Sequence, residues 1–213
     1  MKTDQLITLL ANGVSAVDGQ QARRHSAMIL GCGTLGTVLL MVMWLGVRRD
    51  LADAALLPMF WAKLAFAATL LVGAYTVALR LSRPGMRVGH APLALAVPVL
   101  VLWLLAAVAL GMAAPESRGY LILGVSWQVC PINIALLSAP SFVAALWVMR
   151  SLAPVRPALA GAASGLFAGA LGALAYSFYC PELAAPFIGI WYLLGMLIPA
   201  LVGGMIGSWL LRW

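Results

Sequence analysis

Residues 130–181 read CPINIALLSAPSFVAALWVMRSLAPVRPALAGAASGLFAGALGALAYSFYCP and contain two apolar runs separated by the basic turn at 150–156. Each run is long enough to cross a bilayer, because a helix rises ~1.5 Å per residue and the hydrocarbon core is ~30 Å thick. The stretch therefore predicts an antiparallel hairpin of two membrane helices. Cys130 and Cys180, each followed by a proline, then lie at the same face of the membrane, opposite the basic turn.

The composition of the whole chain agrees with a membrane protein. Hydrophobic residues make up 64% of the 213 residues and charged residues 9%, whereas soluble domains average about 45–50% and about 25%. We predict an all-α integral membrane bundle of six transmembrane helices, which leaves little room for a second domain. The net charge of +7 does not indicate nucleic-acid binding, because the cations lie at the ends of apolar runs. No direct nucleic-acid partner is expected.

The sequence divides into two parts. Residues 1–25 form a polar to mildly amphipathic N-terminal segment, and residues 26–213 form the six-helix transmembrane domain. No cleavable signal peptide is expected, because the first apolar run lacks a small-residue cleavage site and is long enough to span. The predicted spans are about 26–47, 60–79, 91–112, 130–149, 158–178 and 187–211.

The distribution of cations predicts the orientation. One side of the membrane carries nine Lys and Arg residues and the other side four. The nine are Lys2, Arg23, Arg24, Arg80, Arg83, Arg87, Arg150, Arg156 and Arg212, and the four are Arg48, Arg49, Lys63 and Arg118. The positive-inside rule then places both termini in the cytoplasm. The cysteine pair faces the periplasm or exterior, where oxidised thiol pairs persist.

The cysteine pair offers two kinds of chemistry. Exported thiols cycle between dithiol and disulfide, or bind a soft metal ion. A disulfide needs Cα atoms within about 7 Å, whereas neighbouring helix axes lie ~8–10 Å apart. The prolines help, because the residue before a proline is biased toward extended geometry and the two cysteines can lean together. For a metal ion, Glu182 is a further candidate ligand beside Cys130 and Cys180. The alternative is two small apolar residues at helix ends.

Glycines in the last two spans predict close helix–helix packing. Gly161, Gly165 and Gly169 recur at steps of four, and Gly203 and Gly207 follow in the last span. Small residues at this spacing let helix backbones approach closely, so the fifth and sixth helices should pack tightly.

Three further residues lead to expectations about local structure. Ser138 and Pro140 make the fourth span polar and prone to a kink. Cys32, in the first span, is expected to be a buried apolar thiol.

Several function classes are disfavoured. No charged residue lies at the middle of a predicted span, which argues against a transporter, pump or metal exporter. The chain has no Ser-His-Asp set, phosphate loop, HExxH or CxxC motif, so we do not expect an enzyme. A membrane thiol-disulfide oxidoreductase that passes electrons to a quinone stays an alternative, but it would need a second reactive thiol pair. A homo-oligomer is left open.

Short motifs spread along nearly the whole chain resemble one bacterial family. They are residues 1–7 (MKTDQLI), 49–51 (RDL), 60–64 (FWAKL), 156–161 (RPALAG), 172–176 (GALAY), 180–182 (CPE) and 191–192 (WY). In this order they resemble the NrsF/DUF1109 family of six-span membrane proteins, negative regulators of extracytoplasmic-function (ECF) sigma factors of the sigma-F type. One departure is Tyr179, because the family pattern has His before the second cysteine. Any metal binding that uses that histidine would be weaker here.

The resemblance implies a stress-response regulator of transcription in the bacterial inner membrane. A cytoplasmic N-terminal segment would hold an ECF sigma factor, and Cys130 and Cys180 would sense oxidants or heavy metals and release it. The docking residues implied for this chain are Asp4, Leu6, Ile7, Leu9 and Leu10. No cofactor is implied with certainty, and a soft metal ion at the cysteine pair is the one candidate.

Overall fold

The computed structural model describes residues 19–82 and 89–212, together with the isolated helical residues Thr3, Gln5 and Ile7. Within these residues the regular structure is entirely helical. In chain order the helices are α1 (Gly19–Trp44), α2 (Leu51–Ala54), α3 (Pro58–Leu81), α4 (Ala91–Met112), α5 (Pro115–Leu123), α6 (Cys130–Leu137), α7 (Ala139–Ser151), α8 (Pro157–Tyr176), α9 (Ala185–Phe187) and α10 (Leu193–Leu210), with a π-helical turn (Ile188–Tyr192) before α10.

The helices confirm the predicted class of a membrane bundle. Five segments in the described ranges are long and apolar enough to cross a membrane: α1, α3, α4, α8, and the continuous α9–α10 segment. Helices α6 and α7 together meet the same test but are bent by 46° relative to each other. Counting this pair as one span gives the six spans that the apolar runs predict.

The boundaries of the first predicted span differ from those of α1. Helix α1 spans Gly19–Trp44, so residues 19–25, which the sequence places in the N-terminal segment, are helical and continuous with the first span. Hydropathy marks where a chain enters the membrane, whereas the polar helix formers of residues 20–24 (QQARR) continue the helix beyond that point. At its other end α1 stops before Gly46, whose φ of 74° is a left-handed conformation that ends helices. The amide N–H of Gly46 donates to the carbonyl of Met41 at 3.0 Å.

The fourth span is broken at the predicted kink. Ser138 separates α6 from α7, and Pro140 lies in the first turn of α7. A proline has no N–H to donate and its ring crowds the preceding turn, so the helix changes direction there.

Helix α8 is the centre of the bundle. It packs against α10, α3 and α7. Of the residues in its apolar stretch, 67% are buried inside the protein, compared with 11% for α4. Its close approach to α10 depends on glycine. A Cβ atom on Gly169 would lie 2.7 Å from the carbonyl oxygen of Met196, and one on Gly207 would lie 2.7 Å from that of Pro157. Gly161, Gly165 and Gly203 also meet backbone of the facing helix.

The main hydrophobic core lies at the end of the bundle that holds the two cysteines. Helices α3, α4, α6, α8 and the segment 185–196 all contribute fully or nearly fully buried side chains to it. Its largest fully buried members are Leu70, Ile134, Leu137, Tyr176, Phe187, Ile188, Tyr192 and Met196. This core holds Cys130 and Cys180 in fixed surroundings.

The glycine contact between α8 and α10 gives a matched pair of test substitutions. A Cβ on Gly203 would collide with the carbonyl of Gly161, whereas one on Gly204 would lie 3.6 Å from the Ala162 Cβ. We expect Gly203→Ala to lower the free energy of unfolding by about 1–3 kcal/mol, because overpacking displaces the helices. Gly204→Ala should change it by less than about 0.5 kcal/mol. Denaturant titration in detergent micelles measures both, and equal effects would contradict the close approach.

Candidate functional site

The two thiols predicted to meet are brought together in the structure. Cys130 is the first residue of α6, and Cys180 lies in the segment 177–184 between α8 and α9. Both are free cysteines with no exposed surface, and their side chains adjoin each other. Their backbone amides are anchored, that of Cys130 on the Ser126 carbonyl and that of Cys180 on the Tyr176 carbonyl, each at 2.9 Å. The geometry allows thiol–disulfide chemistry within one chain.

Lys63 of α3 lies beside the thiols and has no exposed surface. Its Nζ donates to the carbonyl oxygens of Cys180 at 2.9 Å and of Glu182 at 3.0 Å. The same nitrogen lies 5.6 Å from the ring centroid of Tyr192, within the range of a cation–π interaction. We call Cys130, Cys180, Lys63 and Tyr192 the thiol site.

The carboxylate of Glu182 is engaged elsewhere. Its Oε1 accepts a hydrogen bond from the amide of Val125 at 2.8 Å, next to Gly124, which ends α5. Glu182 therefore meets Lys63 through its backbone carbonyl and Val125 through its side chain. These two contacts hold the 180–182 segment between α3 and the turn after α5.

The π-helical turn before α10 positions Tyr192 in the thiol site. Such turns add a residue to a helix and are frequent at functional sites. The hydroxyls of Tyr176 and Tyr192 are both buried without a well-formed hydrogen bond, although the Tyr192 hydroxyl approaches the Cys180 sulfur and Ser177. Trp191 in the same turn donates its indole N–H to the Ile122 carbonyl at 2.8 Å.

Arg48 brings a second cation near Cys180. Its amide donates to the Phe178 carbonyl at 3.2 Å, and its Nε donates to Oδ1 of Asp50 at 2.8 Å. This hydrogen-bonded pair holds the pKa of Asp50 at about 2 and raises the pKa of Arg48. The remaining Arg48 nitrogen, Nη1, is buried without a hydrogen-bond partner.

The surroundings of Cys180 lower the pKa of its thiol. The adjoining Cys130 thiol is the main cause that lowers the pKa of Cys180 below its usual range, and burial opposes it. The positive charge of Lys63, the Tyr192 hydroxyl and the amide of Glu182 lower it further. A thiolate, and not a thiol, is the nucleophile in thiol chemistry.

The other predicted residues have different outcomes. Across the ranges 19–82 and 89–212, no group of three or more His, Cys, Asp or Glu side chains is arranged to hold a metal ion. Of the docking residues, Ile7 is helical and 59% exposed, whereas Asp4, Leu6, Leu9 and Leu10 lie outside the described residues. The expectation for Cys32 is wrong, because this thiol is exposed on α1. An apolar residue in a span is as stable against lipid as against protein, so hydropathy does not predict which of the two it faces.

Lys63 is the candidate site residue that the sequence analysis missed. From the sequence alone, Lys63 is one of the interfacial cations near the start of a span. The available signal was a lysine six residues into α3, within the FWAKL motif, because ionisable residues inside a span are candidates for function.

The fold and the site define a class: an all-helical membrane bundle with a thiol pair and a lysine buried at one end. The family model of NrsF, described as negative regulator of sigma F, matches residues 10–213. The chain belongs to this family, which confirms the resemblance seen in its motifs.

Two relatives match over their whole length and that of this chain. One is named probable anti-sigma-F factor NrsF, from Azospira oryzae, and is 52% identical over 213 residues. The other is named anti-sigma-F factor NrsF, from Caulobacter vibrioides, and is 38% identical over 215 residues. No solved structure matches the chain significantly.

A substitution at Gly124 tests whether the turn after α5 stabilises the thiol site. Gly124 has φ 55° and ψ −163°, a region that only glycine adopts without strain, and a Cβ there would lie 2.8 Å from Cδ of Glu182. We expect Gly124→Ala to lower the free energy of unfolding by about 1–3 kcal/mol. Gly119→Ala in α5, where a Cβ meets nothing within 4 Å, is the control. Thermal unfolding in detergent micelles distinguishes them, and an unaffected Gly124→Ala protein would contradict the importance of this turn.

Proposed function

We propose that this chain is a membrane anti-sigma factor that binds an ECF sigma factor and releases it when Cys130 and Cys180 are oxidised. The observation that carries the proposal is the family match over residues 10–213, with relatives named anti-sigma-F factors along their full length. The proximity of the two buried thiols supports the sensing part.

The orientation of the chain is part of the proposal. Nine cations on one side and four on the other support a cytoplasmic location for both termini in the bacterial inner membrane. Of the four cations on the far side, Lys63 is buried inside α3, and the other three are exposed or partly exposed. The difference in positive charge between the two sides is therefore larger than nine against four. The thiol site then lies at the periplasmic end, in an oxidising compartment.

The N-terminal segment is the proposed docking element. Asp4, Leu6, Ile7, Leu9 and Leu10 form a short amphipathic pattern, and Ile7 is helical and exposed. An amphipathic helix docks by laying its apolar face in a groove of the partner. Along the sequence, the proposed docking segment precedes α1, a membrane span that packs against α7.

Oxidation is favoured over metal binding as the sensed event. A tetrahedral zinc site needs four ligands, and the described residues contain no group of three potential ligands around the pair. The Glu182 carboxylate already accepts the Val125 amide. A disulfide needs no further residue.

The alternative of a quinone-coupled thiol oxidoreductase is less well supported. Such an enzyme relays electrons between two thiol pairs, and the sequence contains three cysteines. The third, Cys32, is exposed on α1 and belongs to no pair. A transporter is likewise disfavoured, because Lys63 lies near one end of α3 and not at its middle.

The docking proposal predicts the effect of charges in the N-terminal segment. Leu6→Asp combined with Leu10→Asp should release the sigma factor and raise transcription of its targets several-fold without stress, because charges do not enter an apolar groove. Thr8→Asp places a charge on the opposite side of a helical projection and is the control. A transcriptional reporter measures both, and unchanged repression in the double variant would rule out docking through this face.

The sensing proposal predicts the effect of removing single thiols. Cys130→Ser and Cys180→Ser should each abolish the rise in target transcription on oxidant treatment, because neither variant can form the internal disulfide. Cys32→Ser is the matched control and should keep the response. Immunoblots check that all three proteins are present at equal levels. Normal induction in either of the first two variants would contradict sensing by the pair.

A further inference from the structure

We propose that Lys63 couples the thiol pair to α3: its two hydrogen bonds hold in the dithiol form, and closure of the disulfide breaks them and exposes the ammonium. We call the hydrogen bonds from Lys63 Nζ to the carbonyls of Cys180 and Glu182 the lysine contact. The inference rests on the proposed function in one respect, namely that the pair is oxidised to a disulfide. It adds the residue that responds to the disulfide and the helix that carries the change.

The lysine contact joins parts of the chain that are far apart in sequence. Lys63 Nζ lies 2.9 Å from the carbonyl oxygen of Cys180 and 3.0 Å from that of Glu182, and the side chain has no exposed surface. A buried ammonium depends on such partners, because water no longer solvates its charge. Hydrogen bonds also weaken steeply when their geometry changes. The contact is therefore sensitive to the position of the 180–182 segment.

Closure of the disulfide moves that segment. Cys130 is part of α6, whose backbone is held by regular hydrogen bonds, whereas Cys180 lies in the irregular segment 180–184. A disulfide brings its two sulfurs to ~2.05 Å, closer than two thiols approach, so one backbone must give way. The irregular segment is the softer of the two. Because the Cys180 amide is held on the Tyr176 carbonyl at 2.9 Å, the segment turns about that bond and its carbonyls leave Lys63.

Apolar contacts also join α3 to this end of the bundle. The rings of Phe60 and Phe178 lie 6.3 Å apart, and Phe66 and Leu70 belong to the main hydrophobic core. Burial of apolar surface has no preferred direction, so these contacts tolerate small displacements. The lysine contact is directional and does not. It is therefore lost first, while α3 stays packed in the bundle.

The released ammonium has a short route to water. Lys63 is the sixth residue of α3, and Trp61 in the same turn is 60% exposed. A lysine stem can lie along apolar surface while its charged end reaches the aqueous interface. Without its carbonyl partners the ammonium is more stable in water than in the core. The disulfide form therefore exposes Lys63.

Helix α3 connects the thiol site with a second buried cluster at the opposite end of the bundle. That cluster consists of Leu81, Met149, Ala160, Ala163 and Leu211. At ~1.5 Å per residue, the helix extends roughly 27 Å from Lys63 to Leu81. Helix α8 also reaches both ends, but its glycines place it directly on the backbone of α10. We therefore assign the movement to α3, whose charged attachment to the thiol site is the lysine contact.

Acetylation of Lys63 tests the inference, because the chain contains two lysines, Lys2 and Lys63. Purified Cys32→Ser protein in detergent micelles is treated with N-hydroxysulfosuccinimide acetate, before and after oxidation by diamide. Two S–H bonds break and one S–S bond forms, and the N=N bond of diamide takes up the two electrons and two protons as a hydrazine. Mass spectrometry then measures acetylation of both lysines. Relative to Lys2, Lys63 should react at least about ten-fold faster in the disulfide form.

Protein that cannot form the disulfide is the control for this measurement. A variant with Cys130→Ser and Cys180→Ser should keep Lys63 protected in the presence of diamide, because its carbonyl partners stay in place. Faster acetylation of Lys63 in this variant would overturn the inference, since the disulfide would not be the cause. Unchanged protection of Lys63 in fully oxidised Cys32→Ser protein would overturn it as well.

Variants of Lys63 test whether the lysine contact transmits the signal. Lys63→Met keeps an apolar stem and removes the donors, so it should raise target transcription several-fold without oxidant while thiol trapping shows both cysteines reduced. Lys63→Arg keeps donors and charge and should retain most of the repression. Arg118→Met removes an exposed cation and should change nothing. Full repression by Lys63→Met protein, at a normal level on immunoblots, would overturn transmission through the contact.

The acetylation measurement separates this inference from the proposed function. It uses the native Lys63, so it decides alone when Lys63→Met protein is absent from the membrane. It also involves no sigma factor. Exposure of Lys63 on oxidation with the sigma factor still bound would uphold the inference and contradict the proposed function. Release of the sigma factor on oxidation with Lys63 still protected would overturn the inference and leave the proposed function intact.

Discussion

The hydrogen bonds from the Lys63 ammonium to the carbonyls of Cys180 and Glu182 are the constraint on which the cysteine end of the bundle depends. A lysine without exposed surface inside an apolar helix must have partners for its charge and its protons. These bonds fix the 180–182 segment against α3, and they place a positive charge beside two thiols. The Glu182 side chain then fixes the turn after α5. One buried cation thus organises two connections of the chain, the 180–182 segment directly and the turn after α5 through Glu182.

The rest of the bundle makes that arrangement rigid. Cys180 lies just after the end of α8, in the thiol site. The glycines of α8 let the backbone of α10 approach the backbone of α8 closely. The break at Ser138 redirects α6, so that its first residue, Cys130, meets the end of α8. On this account, conversion of the thiol pair to a disulfide changes the group that adjoins the buried Lys63. The redox state of the cysteines is thereby coupled to the anchoring of the 180–182 segment.

The sequence predicted the architecture well, because hydropathy and length alone specify membrane spans. The approach of Cys130 to Cys180 also followed from elementary geometry, since two spans of equal length return the chain to the same face. Lys63 was missed because its burial depends on carbonyls more than a hundred residues away, which no local pattern encodes. The exposure of Cys32 was missed for a related reason: hydropathy measures compatibility with lipid and does not distinguish contact with lipid from contact with protein.

The central claim is that the oxidation state of Cys130 and Cys180 controls the binding of a sigma factor at the other end of the bundle. The most direct test traps thiols in intact cells with an alkylating reagent, before and after oxidant treatment, and measures the Cys130–Cys180 disulfide and the co-purified sigma factor in the same sample. The account predicts that the bound sigma factor decreases in proportion as the disulfide forms. Release of the sigma factor while both thiols stay reduced, or full disulfide formation with the sigma factor still bound, would contradict it.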